Sequence, residues 1–194
     1  MNSRLFLGLI ASFCLASPAV WAETWQLDPA HSAAQFAVRH LGISTVRGAF
    51  TKLSGTVEYN PSEPAKSFID VSIDTSSVDT RVQMRDNDLR SDHFFDSAKF
   101  PAMTFKSTKV EVVGPGQLKV TGELTLHGVT KPAVLSVSGP TEPVKDPRGN
   151  SHMGASATAR INRSDFGMSN GQPMVGDEVE ITIDAELVRP AAKP

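Results

Sequence analysis

Cysteine is almost missing. The chain has a single one, Cys14, inside an amino-terminal segment expected to be removed, so no disulfide framework can hold the fold and a packed core must do so. Also missing is an apolar run long enough to span a bilayer, since Leu5–Ala16 (LFLGLIASFCLA) falls short of the ~20 residues a spanning helix needs. Charge of one sign is missing too: 19 Lys and Arg stand against 21 Asp and Glu, which excludes the concentrated basic face that nucleic-acid phosphates demand. No glycine-rich phosphate loop follows a strand pattern, and no Gly-x-Ser-x-Gly elbow occurs. There is no internal repeat and no low-complexity tract.

What is present begins with an export signal. Arg4 precedes the apolar run, Ser17 and Pro18 break it, and Val20-Trp21-Ala22 offers a cleavage site before Glu23. Residues 1–22 are therefore expected to be a signal peptide and residues 23–194 one mature domain. Phe13 before Cys14 is too bulky for a lipoprotein signal. The remaining chain of roughly 170 residues is long enough to bury about 70% of its unfolded surface.

After Glu23 one pattern recurs: period-2 alternation, then a turn. Ile69, Val71 and Ile73 interleave with polar residues, as do Leu118 to Leu126 and Val179 to Leu187, with weaker alternation at 33–40, 53–59, 102–113, 133–138 and 153–161. Each stretch reads as a strand with one dry and one wet face, and such strands pair antiparallel. Turn chemistry separates them at Asn60-Pro61, Gly114-Pro115-Gly116, Gly139-Pro140 and Asp146 to Asn150. The expected fold is all-β, an antiparallel barrel of about eight strands, with an immunoglobulin-like sandwich as the alternative. One segment departs from alternation: Thr80-Arg81-Val82-Gln83 has the form of a capping box, and predicts a short, mostly polar helix through about Ser91, outside the wall as a lid or plug.

The expected inner faces mix large residues (Phe36, Phe105, Leu124, Leu126, Ile183) with small ones (Ala34, Gly122, Ala133, Ala155, Ala157, Ala159, Ala185). Either the small oppose the large across a filled core, or the barrel keeps an apolar channel. The five histidines, His31, His40, His93, His127 and His152, show no i,i+4 pairing and have no cysteine to complement them, so no metal and no cofactor are expected. His40 shares parity with Ala34, Phe36 and Val38 and is expected to point inward, as a hydrogen-bonded core residue or a head-group contact. Phe94, Phe95, Phe100 and Phe105 form either a core cluster or an aromatic collar at the mouth of a cavity. Ser91-Asp92-His93 and Ser164-Asp165 leave open an exported hydrolase with a Ser/His/Asp site assembled by the fold.

Six segments in order carry a family resemblance: Asp28-Pro-Ala-His31-Ser32 with Phe36 to Gly42; Val46 to Phe50; Arg85 to Asp96; Phe100-Pro101 with Phe105; Gly122 to Thr130; and Ile161 to Met168. Together they resemble the YceI family of bacterial, lipocalin-like, polyisoprenoid-binding periplasmic proteins. The resemblance implies an extended eight-stranded antiparallel barrel with a short helix and an elongated apolar cavity. It implies a periplasmic, non-catalytic carrier holding a polyisoprenoid, quinone or fatty amide, and a homodimer. With the cavity so favoured, strand parity places the tail against Phe36, Val38, Phe105, Leu124, Leu126 and Ile183, behind Phe94 and Phe95. His40 is expected at the head group, with Asp165 and Arg90 as further candidates.

Overall fold

Alternating sequence becomes alternating exposure most clearly along residues 117–126 and 178–185. The computed structural model describes residues 22–191; residues 1–21 of the expected signal peptide lie outside that range. Twelve strands form among the described residues: β1 (Glu23–Leu27), β2 (Ala33–His40), β3 (Ser44–Phe50), β4 (Leu53–Tyr59), β5 (Phe68–Asp74), β6 (Val78–Asp79), β7 (Ala102–Gly114), β8 (Gln117–Leu126), β9 (Val129–Ser138), β10 (Val144–Lys145), β11 (Ser151–Asn162) and β12 (Val175–Arg189). One helix, α1 (Gln83–Arg90), interrupts them.

Every pairing is antiparallel, and the circuit β11-β9-β8-β7-β5-β4-β1-β12 closes on itself when β12 meets β11. The result is a closed eight-stranded barrel. β2, β3 and β6 continue β1, β4 and β5 beyond a break, so three staves of the wall are each built from two strands. Every break changes parity. Trp25 and Leu27 point inward on β1, but Ala34, Phe36 and Val38 do so on β2; Leu53 and Val57 do so on β4, but Phe50 on β3; Ile69 to Ile73 do so on β5, but Val78 on β6. The breaks lie side by side, bridged by Thr51 N–H to Ser77 O and Asp74 N–H to Lys52 O. The sequence pattern does not single out β1, which has only five residues, or β3, whose parity differs from that of β4 in the same stave.

Turn chemistry fits the strands it joins. β8 and β9 are linked by His127 and Gly128 alone, both at positive φ (51° and 75°), the two-residue hairpin geometry that suits strand twist. Gly122 lies under the Phe105 ring: a Cβ there would stand 2.4 Å from it, so glycine lets that ring lie flat on the sheet.

Helix α1 differs from its expected form. It starts at Gln83 with Val82 at the cap and no side-chain capping bond, so the Thr80/Gln83 capping box does not form. Asp86, a polar residue of this helix, is buried and accepts from both the Thr80 backbone N–H and the Thr80 hydroxyl. That carboxylate anchors the segment before the helix instead. Arg90 donates to Ser76 O and Val78 O, each at 2.6 Å, tying the helix to the β5–β6 stave. The helix and residues 91–101 follow β6, where it parts from β7.

Candidate functional site

The lumen follows from side-chain size. Ala155, Ala157 and Ala159 line the inner face of β11, with Ala133 on β9 and Ala185 on β12, opposite Phe105, Val110, Val120 and Leu124. They leave a lower chamber of about 190 Å³ with almost wholly apolar walls. Trp25, Met153 and Leu187 pack together against Leu27, Val57 and Tyr59 at one end of it. An upper chamber of about 120 Å³ lies between Phe36, Val38, Phe50, Leu126 and Val179, with Leu89 of α1, Phe94 and Phe95 beside them. Ile161 and Ile181 belong to both walls, so the two apolar chambers adjoin at these side chains. Phe50 links its neighbours, 5.7 Å from Phe36 and 5.4 Å edge-on to Phe95 between ring centroids.

The residues expected at the site divide cleanly. Phe36, Val38, Phe94, Phe95 and Leu126 border the upper chamber, and Phe105, Leu124 and Ile183 the lower one. His40 and Asp165 are exposed and border neither. The inward placement expected of His40 fails because it closes β2 at a hairpin tip, opposite Ser44, and meets Val175 only past an irregularity in β12. Arg90 is spent on backbone carbonyls of the wall.

The charged residue on the upper wall is one the sequence did not single out. Arg163, 4% exposed, donates to the carbonyls of Gly176, Met168, Asn170 and Val175 at 2.6–2.9 Å. These bonds engage four of its five N–H donors and fix residues 168–176 against the barrel. Burial pulls its pKa below the usual arginine value, with Asp177 opposing. An arginine in a polar turn carries no sequence signal of such a role.

No serine hydroxyl reaches a histidine ring among the described residues. His93 pairs with Asp88 at 2.7 Å and His127 with Phe166 O at 3.2 Å. His31 pairs with Asp28 at 2.8 Å, and His152 with Glu186 at 2.8 Å and Asp146 at 3.4 Å. The bond to Glu186 raises the pKa of His152 against the effect of burial, with Asp146 adding to the rise. The bond to Asp28 raises that of His31. A histidine held above its unfolded value contributes stability below that value and loses it as pH rises through the folded one. The thermal midpoint is thus expected to fall from about pH 6 to about pH 8, and to fall less steeply in His152→Gln. Equal slopes in melts of the two proteins would remove these pairs as the cause.

The comparisons with known proteins agree with this geometry. A family model described as a YceI-like domain matches residues 25–187. A UPF0312 protein of Shewanella baltica is 36% identical over 191 residues, covering 97% of this chain and all of its own. A UPF0312 protein of Vibrio cholerae is 42% identical over 139 residues, 72% of this chain and 73% of its own. Among solved structures, a mutant YceI protein of Campylobacter jejuni superposes with a TM-score of 0.70 at 35% identity, over 79% of this chain and 90% of its own. A polyisoprenoid-binding domain from Saccharophagus degradans shares the fold at TM-score 0.62 and 18% identity, over 88% of this chain and all of its own.

Proposed function

Because this chain belongs to the YceI-like domain family, we propose that it is an exported, non-catalytic carrier that encloses a long amphiphilic lipid in its barrel. The ligand is a polyisoprenoid or a related quinone or fatty amide. The observation that carries this reading is the two-chamber apolar lumen, bordered by Phe36 and Phe95 above and by the β11 alanines below. Each chamber is of the order of a cavity that holds a benzene-sized guest, ~150 Å³, and two in series suit a slim chain. The polyisoprenoid-binding domain of Saccharophagus degradans, which shares the fold, supports the same ligand class. No described helix is long and apolar enough to cross a membrane.

In this reading the tail runs through both chambers and the polar end sits at the upper one, where Gln35 and Arg163 are the polar side chains on the wall. The protein works in the periplasm after cleavage near Ala22, as a homodimer. Native mass spectrometry of protein purified from its own host, followed by organic extraction, is expected to release one lipid per chain. Protein that emerges at its bare sequence mass, with nothing in the extract, would overturn the carrier reading.

A further inference from the structure

Away from the lumen, the closing of the barrel brings together a set of side chains that lie far apart in the sequence. Asp28 and His31 occupy the break between β1 and β2, Glu186 lies on β12, His152 on β11 and Asp146 just after β10. One donor atom each from Asp28, His31 and Glu186 lies within 4.8 Å of the others, and this is the group of metal-ligand type among the described residues. We propose that Asp28, His31 and Glu186 bind a divalent transition-metal ion of the zinc class.

Three observations support the assignment. First, the donors suit the ion: one imidazole and two carboxylates are a zinc-type set, with water completing the coordination. Donors bound ~2.0 Å from a tetrahedral ion stand roughly 3.3 Å apart. His31 Nδ1 and Asp28 Oδ2, now 2.8 Å apart, need only part by about half an ångström to share one.

Second, each ligand is already oriented. Asp28 Oδ1 accepts from the Ala30 N–H at 2.8 Å, which leaves Oδ2 turned to His31. Glu186 Oε1 is bonded to His152 Nδ1 at 2.8 Å, and His152 Nε2 reaches Asp146 at 3.4 Å. A histidine backed by a carboxylate and fixing a ligand carboxylate is the kind of outer support that metal sites use. The backbone holds the two halves together, with Asp28 N–H donating to Glu186 O at 2.8 Å and Glu186 N–H to Ser32 Oγ at 2.9 Å.

Third, the site is accessible. His31, Asp146, His152 and Glu186 border an open surface groove of about 930 Å³. An ion there would pin the β1–β2 break to β12. This reverses the metal-free expectation drawn from sequence, where no two of these residues except Asp28 and His31 are close enough to signal a site.

The Asp88–His93 pair supplies an internal control. It has the same chemistry at 2.7 Å but belongs to no such three-residue group. The test is equilibrium dialysis of chelator-stripped protein against Zn²⁺ alone, with bound metal counted. Wild type and His93→Ala are expected to bind one ion per chain, while His31→Ala and Glu186→Gln weaken binding at least tenfold and His152→Gln weakens it less. Wild-type affinity is also expected to fall as the pH drops through the histidine range, because protons compete for the same atoms. Circular dichroism melts establish that the variants are folded. Absence of stoichiometric binding in wild type would overturn the proposal, as would equal binding by folded His31→Ala and Glu186→Gln.

Discussion

Ala159→Phe is expected to give a folded barrel that no longer retains lipid. Ala159 faces inward on β11, pairs across the sheet with Ile181 and borders the lower chamber. Ile181 borders both chambers, so a benzyl group at 159 projects where they meet. Adding bulk to a filled core costs about 1–3 kcal/mol, but here the ring enters existing space and the cost should lie at or below the lower end. Excluding ~100 Å² of tail surface forfeits about 2.5 kcal/mol at ~25 cal/mol per Å², more than about tenfold in affinity. Thr158→Phe, one residue away on the exposed face, should retain lipid as wild type does. The measurement is lipid extracted per mole of folded protein. Equal yields from Ala159→Phe and wild type would mean that the tail does not pass through the lumen. Charge should be as disruptive as bulk: Phe36→Asp places a carboxylate in the upper chamber wall, whose cation, Arg163, already serves four carbonyls.

Arg163→Met should produce the largest loss of stability of any single substitution at the upper end. The variant keeps much of the side-chain volume but removes the donors to four carbonyls, those of Met168, Asn170, Val175 and Gly176. Leaving buried acceptors unpaired costs about 1–3 kcal/mol for each one that water cannot reach. A total of about 3–5 kcal/mol is expected, a fall of roughly 10 °C in thermal midpoint for a chain of this size. Arg163→Lys should recover only part of this, because an ammonium cannot reproduce the planar fork that serves four carbonyls. A melt in which Lys and Arg are indistinguishable would show that charge alone, and not the fork, holds residues 168–176.

The strands most legible in the sequence are those with long runs of unbroken parity. β8 alternates from end to end and β12 from Val179 to Leu187, and their inward residues, such as Leu124 and Ile183, border the lumen as their parity implies. Phe36 and Val38 were placed by the same reasoning. His40 obeys the same parity but lies past the end of the lumen, and parity says nothing of where a wall stops. The motif at Thr80 predicts a bond to Gln83, whereas the bond that forms runs to Asp86, six residues on. Arg163 and the Asp28–His31–Glu186 group were beyond reach for a third reason. Their roles depend on which strands close the barrel, and pairings such as His152 with Glu186, 34 residues apart, exist only once β11 lies against β12.

The three parity changes at the adjoining breaks have a consequence for how this wall can vary. In an unbroken strand, gaining or losing one residue turns every following side chain to the other face. Here the irregular residues between β1 and β2, β3 and β4, and β5 and β6 act as punctuation, and each half-stave keeps its own reading frame. A one-residue length change on the β2, β3 or β6 side rewrites the upper chamber and leaves the lower frame as it was. The two ends of the lumen are thus separately editable, so lineages can reshape the compartment near α1 while inheriting the alanine-lined one intact.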